Sequence, residues 1–104
     1  MTSALTGTWD LALGTPIGTL RVTYRFIEGS SGLTGEASST DETVELEDIR
    51  LDPISGHATW RQRINKPMRL TLDFDVMVES DRLSGHSRAG RLPRTRVTGH
   101  RSAA

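Results

Sequence analysis

The residues able to do chemistry in this chain are few and scattered. His57, His86 and His100 show neither a His-x-His nor a His-x-x-x-His spacing, so no metal site is expected. Cysteine is absent, which removes a thiolate nucleophile, a disulfide framework and any Cys-based zinc site. Gly29-Ser30-Ser31-Gly32 has no helix after it, so it lacks the aligned N–H groups that cradle phosphate and reads as a hairpin turn. No nucleophile elbow surrounds any serine. One constellation comes from hairpin register. A turn at 79–82 sets Asp75 opposite His86 and Asp73 opposite Arg88, and Asp75, His86 and Arg88 together could relay a proton. The same residues are equally the ion-paired outer face of a sheet. They oppose the apolar face and nothing builds a pocket around them, so the outer-face reading is preferred.

The elements that must position these groups show a repeat. Leu20-Arg21-Val22-Thr23-Tyr24-Arg25-Phe26 returns fifty positions on as Leu70-Thr71-Leu72-Asp73-Phe74-Asp75-Val76. Each copy is followed by a turn and a strand opening Leu-(Thr/Ser)-Gly, at Leu33 and at Leu83. Thr8-Trp9 and Pro16 match Thr59-Trp60 and Pro67, fifty-one positions on. Period-two alternation marks each strand. Leu20, Val22, Tyr24 and Phe26 share one face, with Arg21, Thr23 and Arg25 on the other. Met68, Leu70, Leu72, Phe74, Val76 and Val78 form the longest such run. In the fourth strand the apolar phase slips between Val44/Leu46 and Ile49/Leu51, which predicts a β-bulge near Glu47-Asp48. Gly14-Thr15-Pro16, residues 38–41, 52–56 and 65–67, and 90–93 read as turns or loops, and residues 1–6 as a loose lead-in. No stretch of ten residues has helical period.

The expectation is one domain, residues 1–104. It is all-β: an eight-stranded antiparallel up-and-down β-barrel of two four-stranded repeats, about 7–51 and about 57–101. Each half alone exposes an apolar face, and joining the halves buries it and removes the edges. An open sandwich is the alternative. An SH3-like or OB fold has too few strands.

An eight-stranded barrel is either filled or holds one small ligand. The predicted interior includes Trp9, Trp60, Gln62 and Phe74 as candidate ligand-binding residues. Small residues at Gly35, Ala37, Ala58, Gly85, Ser87 and Ala89 would leave room beside them. Tyr24 could donate to a carbonyl oxygen, and Asp48, if the bulge turns it inward, could serve as acid or base. The Tyr24 hydroxyl is an addition to the structural plan, because the second repeat uses Phe74 in its place.

Composition bounds the partners. Thirteen basic and thirteen acidic side chains cancel, against nucleic-acid binding, and near-zero net charge allows self-association into a homodimer. The alternating Arg and Thr of the last strand lack the exposed aromatic platform of an RNA surface. No apolar run approaches the roughly 20 residues of a membrane span, and no basic n-region precedes an apolar one, so a soluble cytoplasmic protein is expected. Twelve of the thirteen basic residues are Arg.

Gly-Thr-Trp at 7–9, Thr-Pro-Ile-Gly at 15–18, Leu-Thr-Gly at 33–35, Leu-Ser-Gly at 83–85 and Val-Thr-Gly-His-Arg at 97–101 resemble a group of small bacterial calycin-like barrels. These are similar in general form to lipocalins, fatty-acid-binding proteins and nitrobindin-like domains. The resemblance runs from about Gly7 to Arg101, and its motifs are turns and strand starts. It implies an apolar-ligand carrier or a cofactor-free isomerase, cyclase or lyase of secondary metabolism. It carries over no catalytic residue, and no haem ligand is identifiable, so no cofactor is expected. The alternative is a structural or accessory interaction module with a solid core. An internal void of at least about 300 Å³ separates the two.

Overall fold

Alternating sequence becomes nine antiparallel strands in the computed structural model, which describes residues 4–15, 18–40, 42–65 and 69–102. The expected turn residues Pro16, Lys66 and Pro67, the loop residue Asp41, Met68 and lead-in residues 1–3 lie outside them. The strands are β1 (Gly7–Thr15), β2 (Gly18–Gly29), β3 (Gly32–Ser38), β4 (Thr43–Glu45), β5 (Glu47–Leu51), β6 (His57–Ile64), β7 (Leu70–Glu79), β8 (Arg82–Ala89) and β9 (Thr95–Arg101). They form one sheet in the order β4-β3-β2-β1-β9-β8-β7-β6-β5. No helix occurs among the described residues, so none is long and apolar enough to cross a membrane.

The sheet curls into a nearly closed barrel, consistent with a calycin-like fold. The expected count of eight strands is corrected to nine, because the expected fourth strand changes partner midway. β4 pairs with β3, β5 pairs with β6, and Leu46 stands between them. The Leu46 amide still donates to Gly35 O of β3 at 2.9 Å, while its neighbour Glu47 is already paired with Arg61 of β6. One bent segment thus bridges the two sheet edges. The predicted bulge is the bend: register slips between Glu47 and Arg50, and Asp48 takes φ 52°. Just ahead of β4, the Glu42 carboxylate accepts the Asn65 N–H beyond β6 at 2.9 Å, a second stitch across the seam.

Burial follows the alternation. Val22, Tyr24 and Phe26 of β2, and Leu72, Phe74, Val76 and Val78 of β7, are buried while their neighbours face outward. Aromatic residues pair across neighbouring strands. Trp9 lies opposite Tyr24, and Trp60 opposite Phe74. Gly35 lies opposite Phe26, and Gly85 opposite Val76. Gly35 makes room for neighbouring side chains, and Gly85 for the backbone of Asp75 and Val76. A Cβ at Gly35 would sit 3.0 Å from the Phe26 ring and 3.1 Å from Leu46 Cδ1.

Residues 4–6 are not the loose lead-in expected. Leu5 is fully buried, and its carbonyl accepts the Trp9 Nε1–H at 2.9 Å. Arg101 ties this segment down. Its guanidinium donates to the carbonyls of Thr6 and Ala4, and its Nε donates to Asp81 Oδ1 at 2.9 Å. The guanidinium carbon also lies 4.4 Å from the Trp9 ring centroid, a cation–π contact. Gly7, at φ 126°, passes beneath, where a Cβ would sit 2.8 Å from Arg101 Nη1. The Gly-Thr-Trp and Gly-His-Arg motifs are therefore two halves of one clasp between the ends of the chain.

A lysine cannot reproduce three donor directions and a stacked plane. Arg101→Lys should lower unfolding stability in urea by about 1–3 kcal/mol, whereas Arg25→Lys on the exposed wall should stay within about 0.5 kcal/mol.

Candidate functional site

The interior candidates come together in part. Tyr24 on β2 reaches across the barrel and donates its hydroxyl to Gln62 Oε1 on β6, both side chains being buried. These strands are not neighbours in the sheet, so the bond crosses the core. Phe74 stacks on Trp60 with centroids 5.1 Å apart, Phe26 meets Trp60 edge-on at 5.2 Å, and Tyr24 lies 5.8 Å from Trp60. Tyr24, Trp60, Gln62 and Phe74 thus form one cluster. The Trp9 indole is engaged elsewhere, by Leu5 and Arg101. Asp48 is not turned inward. Its side chain is 68% exposed on the outer wall, 4.0 Å from Arg61, and cannot act with Tyr24.

Burial pushes the Tyr24 phenol well above its ordinary pKa, only partly offset by the Gln62 bond. A neutral hydroxyl is fixed here as a donor, not poised as a base. The Trp60 Nε1–H is buried with no partner. Beside Gln62 is a cavity of about 10 Å³, lined by Leu20, Val22, Ala37, Val44 and Ile64 with Ser39 and Glu42 at its rim. That is room for about one water.

Larger hollows open on the outside. One, of about 1000 Å³, runs over the outer faces of β2, β1, β9, β8 and β7, with Arg21, Thr23, Asp10, Thr98, Arg82 and Met77 among its walls. The other, of about 510 Å³, lies over β5–β8 and is lined by Arg50, Arg61, Arg88, Arg94, Asp48, Asp73, Asp75 and His86.

The second hollow contains the proposed proton-relay group, and the backbone register matches expectation: Asp75 opposite His86, and Asp73 opposite Arg88. The side chains do not assemble. Asp75 Oδ1 lies 2.7 Å from His57 Nε2, Asp73 Oδ1 accepts from Arg61 Nε at 2.9 Å, and Arg88 Nε donates to Leu92 O at 2.9 Å. The Asp73 hydrogen bond and charge raise the Arg61 pKa, so that guanidinium is committed. Among the described residues no group of three or more His, Cys, Asp or Glu is placed to hold a metal ion.

Sequence reasoning missed that Arg50 and Arg94 line the same hollow as Arg88. A usable signal was present: no Asp or Glu follows Asp81, whereas Arg82, Arg88, Arg91, Arg94, Arg96 and Arg101 do. It was hidden by a net charge of zero over the whole chain. Comparison with protein-family models, curated proteins and solved structures gives no match.

Tyr24 is the sole tyrosine, so its titration is directly visible. With its folded pKa raised, the stability it lends is complete below the unfolded value of about 10 and falls as pH rises beyond it, by up to about 1.36 kcal/mol per pH unit. Tyrosinate absorbance should therefore appear together with loss of the folded circular-dichroism signal, not before it. Tyr24→Phe should cost about 1–3 kcal/mol by stranding Gln62, and Tyr24→Phe with Gln62→Leu should cost less than the sum of the single changes.

Proposed function

We propose that this domain is a non-catalytic binding module that works through the outer wall of its barrel, the interior serving as core. One observation carries the reading: the space beside Gln62 is about 10 Å³, against about 510 and 1000 Å³ in the two outer hollows. Small-molecule sites are ordinarily clefts of about 300–1000 Å³. The two-repeat plan belongs to this proposal. In it the Trp9–Tyr24 and Trp60–Phe74 pairings are equivalent structural supports, and the outward charged and polar residues are what differ between the halves.

A second reading is favoured by the buried, unpartnered Trp60 Nε1–H. In it a small apolar carbonyl compound enters the barrel, takes a hydrogen bond from Trp60 or from the Gln62 amide, and is carried or isomerised there. Tyr24, Trp60, Gln62 and Phe74 would form its walls.

Amide and indole N–H spectra decide between the two, because the chain has two tryptophans with distinct surroundings. Titration with apolar carbonyl compounds should leave the Trp60 indole resonance unmoved, and binding partners should perturb amides beside Met77, Arg82, Arg50 and Arg88. A saturable shift of the Trp60 indole, lost in Trp60→Phe, would overturn the outer-wall reading in favour of the interior one.

A further inference from the structure

We propose that the hollow over β5–β8 binds a small, multiply charged oxyanion, held by Arg50, Arg88 and Arg94. The inference rests on the outer-wall reading and names the ligand class for one of its two hollows.

The charge distribution within the hollow is the argument. Its three carboxylates are already answered: Asp73 by Arg61 at 2.9 Å, Asp48 more loosely by the same guanidinium at 4.0 Å, and Asp75 by His57 at 2.7 Å. Among the described residues no carboxylate lies within ion-pair distance of Arg50, Arg88 or Arg94. Arg50, Arg88 and Arg94 are therefore in no ion pair, and the hollow as a whole sets four guanidinium groups against three carboxylates, a net of one positive charge with its histidines neutral. Arg88 is also oriented. Its Nε bond to Leu92 O folds the loop after β8 back over the strand, spends one donor on a neutral carbonyl, and leaves both terminal nitrogens available. A guanidinium fixed in plane presents two parallel donors to a phosphate or carboxylate, the geometry of a bidentate contact.

The frame beneath is rigid. Arg50 pairs with Thr59, Thr59 with Asp75, and Asp75 with His86, while Arg61, Asp73 and Arg88 form the adjoining row. Arg50 and Arg88 thus stand on different strands at opposite sides of the hollow, and Arg94 comes from the β8–β9 connection. The acid-free stretch after Asp81 adds Arg91 and Arg96 to the positive field on that side. A volume of about 510 Å³ suits an anion of small-molecule size.

The test is titration of the intact chain with inorganic pyrophosphate and, separately, with citrate, at about 20 mM salt so that screening is weak. Binding is read by calorimetry and by amide shifts. Saturable binding is expected with shifts centred on β5–β8 and residues 88–94, and the stronger of the two anions identifies phosphate or carboxylate chemistry. Arg88→Gln and the Arg50→Gln/Arg94→Gln pair should each weaken binding about tenfold or more, Arg88→Lys should restore only part of it, and Arg21→Gln in the other hollow should leave it unchanged. Retention of the melting temperature shows that the variants fold. Absence of saturable binding by either anion, equal affinity in the variants, or shifts spread evenly over all exposed arginines would overturn the site. So would a single-stranded oligonucleotide that binds the same arginines more tightly than pyrophosphate. If other ligands still perturb outer-wall amides, that failure is of this site alone; a saturable shift of the Trp60 indole would instead overturn the reading beneath it.

Discussion

Everything in this domain depends on the sheet meeting itself. An antiparallel sheet with one apolar face and two unpaired edges is unstable in isolation and prone to pair with other chains. Here a single segment, residues 43–51, serves both edges by spending its first three residues on β3 and its last five on β6. The turnover needs a residue whose backbone still reaches β3 while its side chain stays in the core, and Leu46 does both. The positive φ of Asp48 then swings the remaining residues onto β6. A short polar side chain tolerates that conformation better than a β-branched one would.

Closure fixes what the interior can contain. Once β2 and β6 face each other across the core, two large rings from each side must share the same space. Trp60, Phe74, Tyr24 and Phe26 do so by stacking and edge contacts, and glycines and alanines opposite them supply the clearance. Of the small-residue positions that suggested a ligand cavity, Gly35 is filled by the Phe26 ring and Leu46, and Gly85 by the backbone of Asp75 and Val76. Gly99 repeats the lesson, since a Cβ there would lie 2.7 Å from Leu11 Cδ1. Volume missing from one strand is filled by another, and only the three-dimensional register tells the two cases apart.

That is also why the fold was more legible in the sequence than the site. Alternation and turn residues are local, so strand positions, the bulge at Glu47-Asp48 and the outer-face pairings of Asp73 with Arg88 and of Asp75 with His86 could be read from spacing alone. Splitting the fourth strand at Leu46 depends on a partner switch between distant strands, which no local pattern encodes. The inward placement expected for Asp48 failed for a related reason. A bulge can aim its residue either way, and solvent together with Arg61 draws a carboxylate outward. The clasp at Arg101 was visible only as a motif. Its reason, the carbonyls of Ala4 and Thr6 and the ring of Trp9, joins residues about a hundred positions apart in the chain.

The Tyr24–Gln62 bond is better understood as a device of register than of chemistry. A slip of one residue in either strand would turn its polar side chain to the outside and bring polar or charged neighbours, Thr23 and Arg25 or Arg61 and Arg63, toward the core. The Tyr24 hydroxyl and the Gln62 carbonyl oxygen satisfy each other in the aligned closure, so the pair penalises a misaligned one while adding little to the aligned one. An apolar pair of the same size would close the barrel as well but would not discriminate. The hydroxyl carried by Tyr24 and not by Phe74 therefore has a structural use that requires no ligand. With the core and the clasp both committed to holding the barrel in register, the outward residues are the part of the sequence that closure leaves least constrained, and it is there that, among the described residues, Arg50, Arg88 and Arg94 stand outside any ion pair.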